Sequence, residues 1–184
     1  KAGLERIPDD GPAVIVCNHV SFVDALVISA ACHRPIRFVM DHRIFRLPVI
    51  SFVFRTGRAI PIAPAKEDPG MMDRAFEEIG RALKDGDLVA IFPEGRITDT
   101  GEMYPFRPGI KRILDANPVP VVPMALQGLW GSFFSRKDGP AMTKPGRFVP
   151  FRRIGLAVGN AVQPAAATPE ALQSTVLALR GDWR

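Results

Sequence analysis

Asn18, His19, Ser21 and Asp24 gather polar chemistry into seven residues, directly after the apolar run 13–17 (Ala-Val-Ile-Val-Cys). A histidine five residues ahead of a carboxylate, where a strand would end, can supply a general base and the partner that orients it. The carboxylate takes the Nδ1 proton and leaves Nε2 free to accept another. Asp24 can equally be the acidic member of a capping box that Ser21 opens at a helix N-cap. Spacing alone leaves both readings open. A second polar cluster, Phe92-Pro93-Glu94-Gly95-Arg96, closes a later apolar run.

No side-chain nucleophile accompanies the pair. A G-x-S-x-G elbow is absent. Cys17 and Cys32, the two cysteines, lie in apolar surroundings that suit buried free thiols and a reducing compartment. They form no CxxC or Cys/His cluster, so no metal site is expected. The chemistry that remains is direct attack by a substrate hydroxyl whose proton His19 removes. His33 and His42 lack such neighbours and read as structural or surface residues.

These residues need strands that end at them. Apolar runs alternate with helical patterns, which predicts an α/β domain with a mainly parallel mixed sheet of about six to seven strands flanked by helices. The predicted strands are 13–17, 37–40, 59–62, 88–92, 119–126 and 154–158. Pro61, Pro64, Pro120 and Pro123 interrupt apolar runs, so the strands holding them are expected to be edge-like, bulged or short. Ser21 is expected to start a helix running to about Ala31. Met72, Phe76, Ile79 and Leu83 form a helical stripe that Gly86 stops. Pro108 opens a weaker helix with Ile110, Ile113 and Leu114. Thr168 caps a last one with Pro169 in its first turn, the stripe Leu172, Val176 and Leu179, and Gly181 at its end. In open α/β sheets, sites gather beyond the carboxyl ends of strands, where His19 falls.

The ordered pair Asn18-His19-x-Ser21-x-x-Asp24 and Phe92-Pro93-Glu94-Gly95 resembles the glycerolipid acyltransferases, the lysophospholipid or 1-acylglycerol-3-phosphate acyltransferase group. Residues 120–126 (Pro-Val-Val-Pro-Met-Ala-Leu) look like that family's late Val-Pro strand. The resemblance implies a His19/Asp24 catalytic dyad and a lysophospholipid or glycerol phosphate acceptor. It also implies an acyl thioester donor, acyl-CoA or acyl carrier protein, with no bound cofactor. Asn18 and Ser21 belong to the first motif; Glu94 and Gly95 would shape the acceptor site, and Arg96 would meet the phosphate, as guanidinium geometry favours. The alternative for Arg96 is a solvated loop cation.

Two departures stand out. The family pattern continues Phe-Pro-Glu-Gly-Thr-Arg, whereas here Arg96 follows Gly95 directly and Ile97 takes the usual Arg place. The family's Asp-Arg pair after the intermediate strand is replaced by Ala63-Pro64, and Arg58, at the other end of that segment, is the available cation. The run Phe92–Thr98 looks most like the acyltransferase part of the fused 2-acylglycerophosphoethanolamine acyltransferase/acyl-acyl carrier protein synthetase. That branch implies a phosphodiester head group and work at the cytoplasmic face of the cell membrane. A hydrolase using the dyad on water and a non-catalytic lipid-binding module are the rival readings.

Size and charge agree with one domain over 1–184; the start at Lys1, without Met, reads as a domain cut from a longer chain. The 184 residues are 47% apolar and 23% charged, a globular profile. A net charge of +5 suits an anionic partner. The basic residues are scattered without a recognised nucleic-acid-binding motif, which argues against that partner. Residues 47–54 are apolar and flanked by Arg43, Arg46, Arg55 and Arg58; they read either as core or as a membrane-contacting segment. Residues 129–153 join Trp130, Phe133, Phe134, Phe148 and Phe151 to several cations in a loop-like stretch, and read as a surface for an anionic membrane.

Overall fold

In a computed structural model of the chain, which describes residues 1–46, 52, 54–149 and 152–183, six strands form one sheet. They are β1 (Ala13–Cys17), β2 (Ile36–Asp41), β3 (Ile60–Ile62), β4 (Leu88–Ile91), β5 (Val121–Gln127) and β6 (Gly155–Val158). Their order is β3-β2-β4-β1-β5-β6, parallel throughout except where β6 runs antiparallel to β5. The α/β expectation therefore holds. β1 and β4 are buried at every residue, which is why they read as unbroken apolar runs.

Alternation along β1 sends Ile15 and Cys17 to one face and Val14 and Val16 to the other. The first face packs on α1 (Asp24–Ala31) through Ile28, Phe38 and Leu126. The second packs on α2 (Pro69–Lys84), α3 (Gly109–Ala116) and α4 (Pro169–Arg180) through Ile79, Ile110, Leu172 and Val176. Burying each such side chain stabilises the fold by about 1.5–3 kcal/mol. Asp68 caps α2 by accepting from the Met71 N–H at 2.8 Å, and Thr168 caps α4 by accepting from Ala171 at 3.2 Å.

Three expectations change. α1 begins at Asp24 with Val23 at the N-cap, not at Ser21. Pro123 lies inside a seven-residue interior strand rather than at an edge. It is tolerated because it falls between the β5–β6 ladder, which begins at Met124↔Val158, and the isolated bridge Val121↔Val162. There its carbonyl still accepts the Gly159 N–H at 2.8 Å, while its missing donor breaks no ladder bond. Cys32 is half-exposed rather than buried, whereas Cys17 is enclosed and burial pushes its thiol well above the usual range. Most of the apolar segment 47–54 lies outside the described residues; of it, Phe52 is exposed and Phe54 is buried.

Candidate active site

His19 leaves the sheet two residues beyond the end of β1, and Asp24 is the first residue of α1. The turn between them folds back on the carboxylate. Asp24 Oδ2 accepts from the backbone N–H groups of Val20 (2.6 Å) and Ser21 (3.0 Å) and faces His19 Nδ1 at 2.9 Å. Its Oδ1 accepts from Ser21 Oγ at 2.6 Å. Four donors fill the capacity of a carboxylate. With only an acceptor facing it, Nδ1 holds the imidazole proton and Nε2 carries the lone pair. Asp24 thus collects the Val20 and Ser21 N–H groups and faces the imidazole, but it is not the acid of a capping box, because Val23 holds the N-cap and the Ser21 hydroxyl is spent on the carboxylate.

The ring is held on further sides. Phe92 stacks on it with centroids 4.1 Å apart and planes 13° from parallel. Glu94, 2% exposed, accepts the His19 backbone N–H on Oε1 and the Tyr104 N–H on Oε2, each at 2.7 Å. Thr98 donates its N–H to the His19 carbonyl at 2.9 Å. The loops after β1 and β4 are therefore laced together around one histidine. Burial raises the Glu94 carboxyl to about 7, against the pull of its two backbone donors.

Between these loops is a cavity of about 10 Å³ whose lining includes Asn18, His19, Glu94, Thr98, Trp130 and Arg180. It has room for about one water. The His19 side chain is 21% exposed while Asp24 is fully enclosed. Asn18 ties β1 to β5: its Oδ1 accepts the Leu126 N–H at 2.8 Å and its Nδ2 donates to the Leu126 carbonyl at 3.1 Å.

The structure thus brings Asn18, His19, Ser21, Asp24 and Glu94 together. Gly95 turns the chain just beyond, at φ 69°. Arg96 is exposed, with its guanidinium 3.6 Å from the centroid of the Tyr104 ring. Arg58 is not brought to the site. Carrying the register across the sheet sets it level with Arg37, Val89 and Val14, five residues before His19. That is roughly 16 Å away along the strands. Its carbonyl accepts from Arg37 Nε at 2.9 Å, at the amino end of the sheet.

Phe92, Thr98, Tyr104 and Arg180 were not singled out as site residues by their sequence. Thr98 and Tyr104 act through backbone N–H groups, which side-chain identity cannot signal. Arg180 is the last residue of α4, a place where a cation suits the helix dipole with no tertiary role. Instead it is buried, donating to the Gly101 carbonyl at 3.4 Å and pairing with Glu102 at 3.7 Å.

Comparison with known proteins adds a family. Residues 1–127 match the family described as Acyltransferase. The chain is 32% identical over 127 residues to a chloroplastic 1-acyl-sn-glycerol-3-phosphate acyltransferase of Brassica napus, covering 68% of this chain and 36% of that protein. It is 30% identical over 125 residues to the 1-acyl-sn-glycerol-3-phosphate acyltransferase of Bacillus subtilis, covering 67% of this chain and 60% of that one. The match therefore spans about a third of the plant relative's length. The crystal structure of the 1-acyl-sn-glycerophosphate (LPA) acyltransferase PlsC of Thermotoga maritima shares the fold, with a TM-score of 0.71 at 22% identity over 95% of this chain and 65% of that one.

Proposed function

This chain belongs to the acyltransferase family, and from that premise we propose that it moves a fatty acyl group from a thioester to the free hydroxyl of a lysophospholipid. The observation that carries the reading is the 2.9 Å contact between His19 Nδ1 and a wholly enclosed Asp24, with the imidazole itself reachable at the carboxyl end of β1. Such a pair is organised for proton transfer.

In this reading His19 Nε2 takes the proton of the acceptor hydroxyl as its oxygen attacks the thioester carbonyl carbon. Asp24 steadies the imidazolium that forms. Collapse of the tetrahedral intermediate breaks the C–S bond, and the proton passes from Nε2 to the departing thiolate. A thioester already carries a good leaving group, so the chain needs no nucleophile of its own. Coenzyme A and acyl carrier protein are both suitable donors.

The acceptor's head group is the finer part of the proposal. Arg58 lies at the far end of the sheet, and Arg96 rests on Tyr104 outside the dyad's turn. The departures from the family pattern, Ile97 in the usual Arg place and Ala63-Pro64 in place of the Asp-Arg pair, support a lysophospholipid with a phosphodiester head group rather than a phosphate monoester. Arg96 is the cation we assign to that phosphate. The site would work where lysophospholipid resides, at the cytoplasmic face of the cell membrane; among the described residues no helix is long and apolar enough to cross a membrane.

The test is His19→Ala. We expect transfer to fall by about 10²–10⁴-fold, the usual contribution of a positioned base, with a cooperative unfolding transition retained and stability lowered by only about 1–3 kcal/mol for the donor that Asp24 loses. Wild-type transfer by that variant would overturn the assignment. Thioester consumption with and without lysolipid separates transfer from hydrolysis, since only transfer requires the acceptor and yields diacyl lipid. A panel of lysolipids with both donors, products identified by mass spectrometry, then names the substrates.

A further inference from the structure

Residues 128–153 connect β5 to β6 and lie beyond the 127 residues that match the family. They hold six basic residues, Arg136, Lys137, Lys144, Arg147, Arg152 and Arg153, and one acid, Asp138. The whole chain carries +5 from 24 basic and 19 acidic residues. The segment alone carries that entire excess, so the rest of the molecule is neutral in sum.

The same segment exposes apolar side chains. Phe148 is 60% exposed, and Val149 next to it and Met142 six residues earlier are exposed too. Phe133 meets Phe134 and Phe148 edge-on, with centroids 5.3 and 5.9 Å away, and its carbonyl accepts the Met142 N–H at 2.8 Å. The tip is braced from within: Arg147 pairs with Asp138 and also donates to the Lys137 carbonyl at 2.6 Å. Arg136, Lys137 and Arg153 are exposed.

This patch is fastened to the dyad's own turn. The Phe22 N–H donates to the Phe134 carbonyl at 3.2 Å, and Ser21 forms an antiparallel bridge with Ser135. Phe22 and Leu26, on the dyad's side of that seam, are exposed as well (43% and 44%).

We propose that residues 129–149, with Phe22 and Leu26, dock this chain on an anionic lipid bilayer and so set His19 at the level of the head groups. Aromatic and aliphatic side chains enter the acyl boundary while neighbouring cations meet lipid phosphates. An acidic protein partner would use the cations but leave the exposed Phe148, Met142 and Phe22 without a purpose. The proposal rests on the lysophospholipid reading above, because such an acceptor is presented at that surface.

Vesicle binding without any thioester tests docking apart from catalysis. The chain is mixed with phosphatidylcholine vesicles with and without phosphatidylglycerol, and bound protein is measured by co-sedimentation at low and high salt. We expect binding that requires phosphatidylglycerol and weakens with salt. It should fall about tenfold or more in the double variant Arg136→Glu/Lys137→Glu, and fall likewise in Phe148→Ser. Transfer to a water-soluble short-chain lysolipid should stay at wild-type rate in both variants, which also certifies their folding. Wild-type vesicle binding by both variants would overturn the proposal. So would a wild-type chain that ignores anionic vesicles, or one whose patch binds acidic carrier protein instead. If the vesicles bind but no lysolipid is acylated, the function fails and the docking surface stands.

Discussion

Asp24 does two jobs with two oxygens, and its replacement should show both. In Asp24→Ala the His19 ring, the Ser21 hydroxyl and the Val20 and Ser21 N–H groups all lose their acceptor. We expect kcat to drop by about 10²–10⁴-fold through loss of the imidazole's orientation. Unfolding should also become easier by about 1–3 kcal/mol, because buried donors lose their acceptor. Ser21→Ala removes one of the four donors and should cost about 1 kcal/mol of stability with a small effect on kcat. Steady-state kinetics and denaturant melts of the two variants separate the roles. Glu94 gives a pH signature. Its folded value of about 7 lies above the ordinary 4.5 because burial disfavours the charge. Between those values the unfolded chain gives up the proton more readily than the folded one, so stability falls as pH rises from 4.5 to 7 and is flat above. Glu94→Gln should flatten that window in denaturant melts taken across pH; an unchanged slope would assign it to another group.

The elements that carry these residues differ in how openly their sequences announce them. β1 and β4 are enclosed by helices on both faces, and such strands look the same in any frame, so unbroken apolar runs sufficed. The loops are less open. The start of α1 depends on Asp24 reaching back to Val20 and Ser21, a tertiary choice that a Ser at a plausible cap position disguises. Arg58 precedes its strand in the chain, and the parallel register shows that this amino end lies away from His19. Pro123 looked like an edge signal because the gap between a ladder and an isolated bridge belongs to pairing, not to composition. The 98–104 loop depends on Gly101, at φ 84°, where a Cβ would stand 2.6 Å from the Trp130 indole. Gly101→Ala should destabilise the protein by about 1–3 kcal/mol and lower kcat, since the same loop supplies the Thr98 and Tyr104 donors. Paired melting and rate measurements check this.

At the scale of the molecule, the family match stops at residue 127, yet the fold does not. β6 pairs with β5 through four residue pairs, and α4 buries Leu172 and Val176 in the layer that also holds Val121 and Ala125. Those two side chains alone contribute about 3–6 kcal/mol of apolar burial, comparable with the roughly 5–15 kcal/mol of a whole domain. A chain ended at residue 127 should therefore show no cooperative unfolding transition by circular dichroism. A sharp transition in that fragment would mean the last third is an accessory.

Because one enclosed carboxylate both anchors a helix start and aims the imidazole, this protein has little freedom to gain robustness by discarding its chemistry. Many enzymes become sturdier when an awkward catalytic side chain is replaced; here the replacement should leave a catalyst that is slower and also easier to melt. A screen for heat resistance, blind to turnover, would be expected to retain Asp24 unaided.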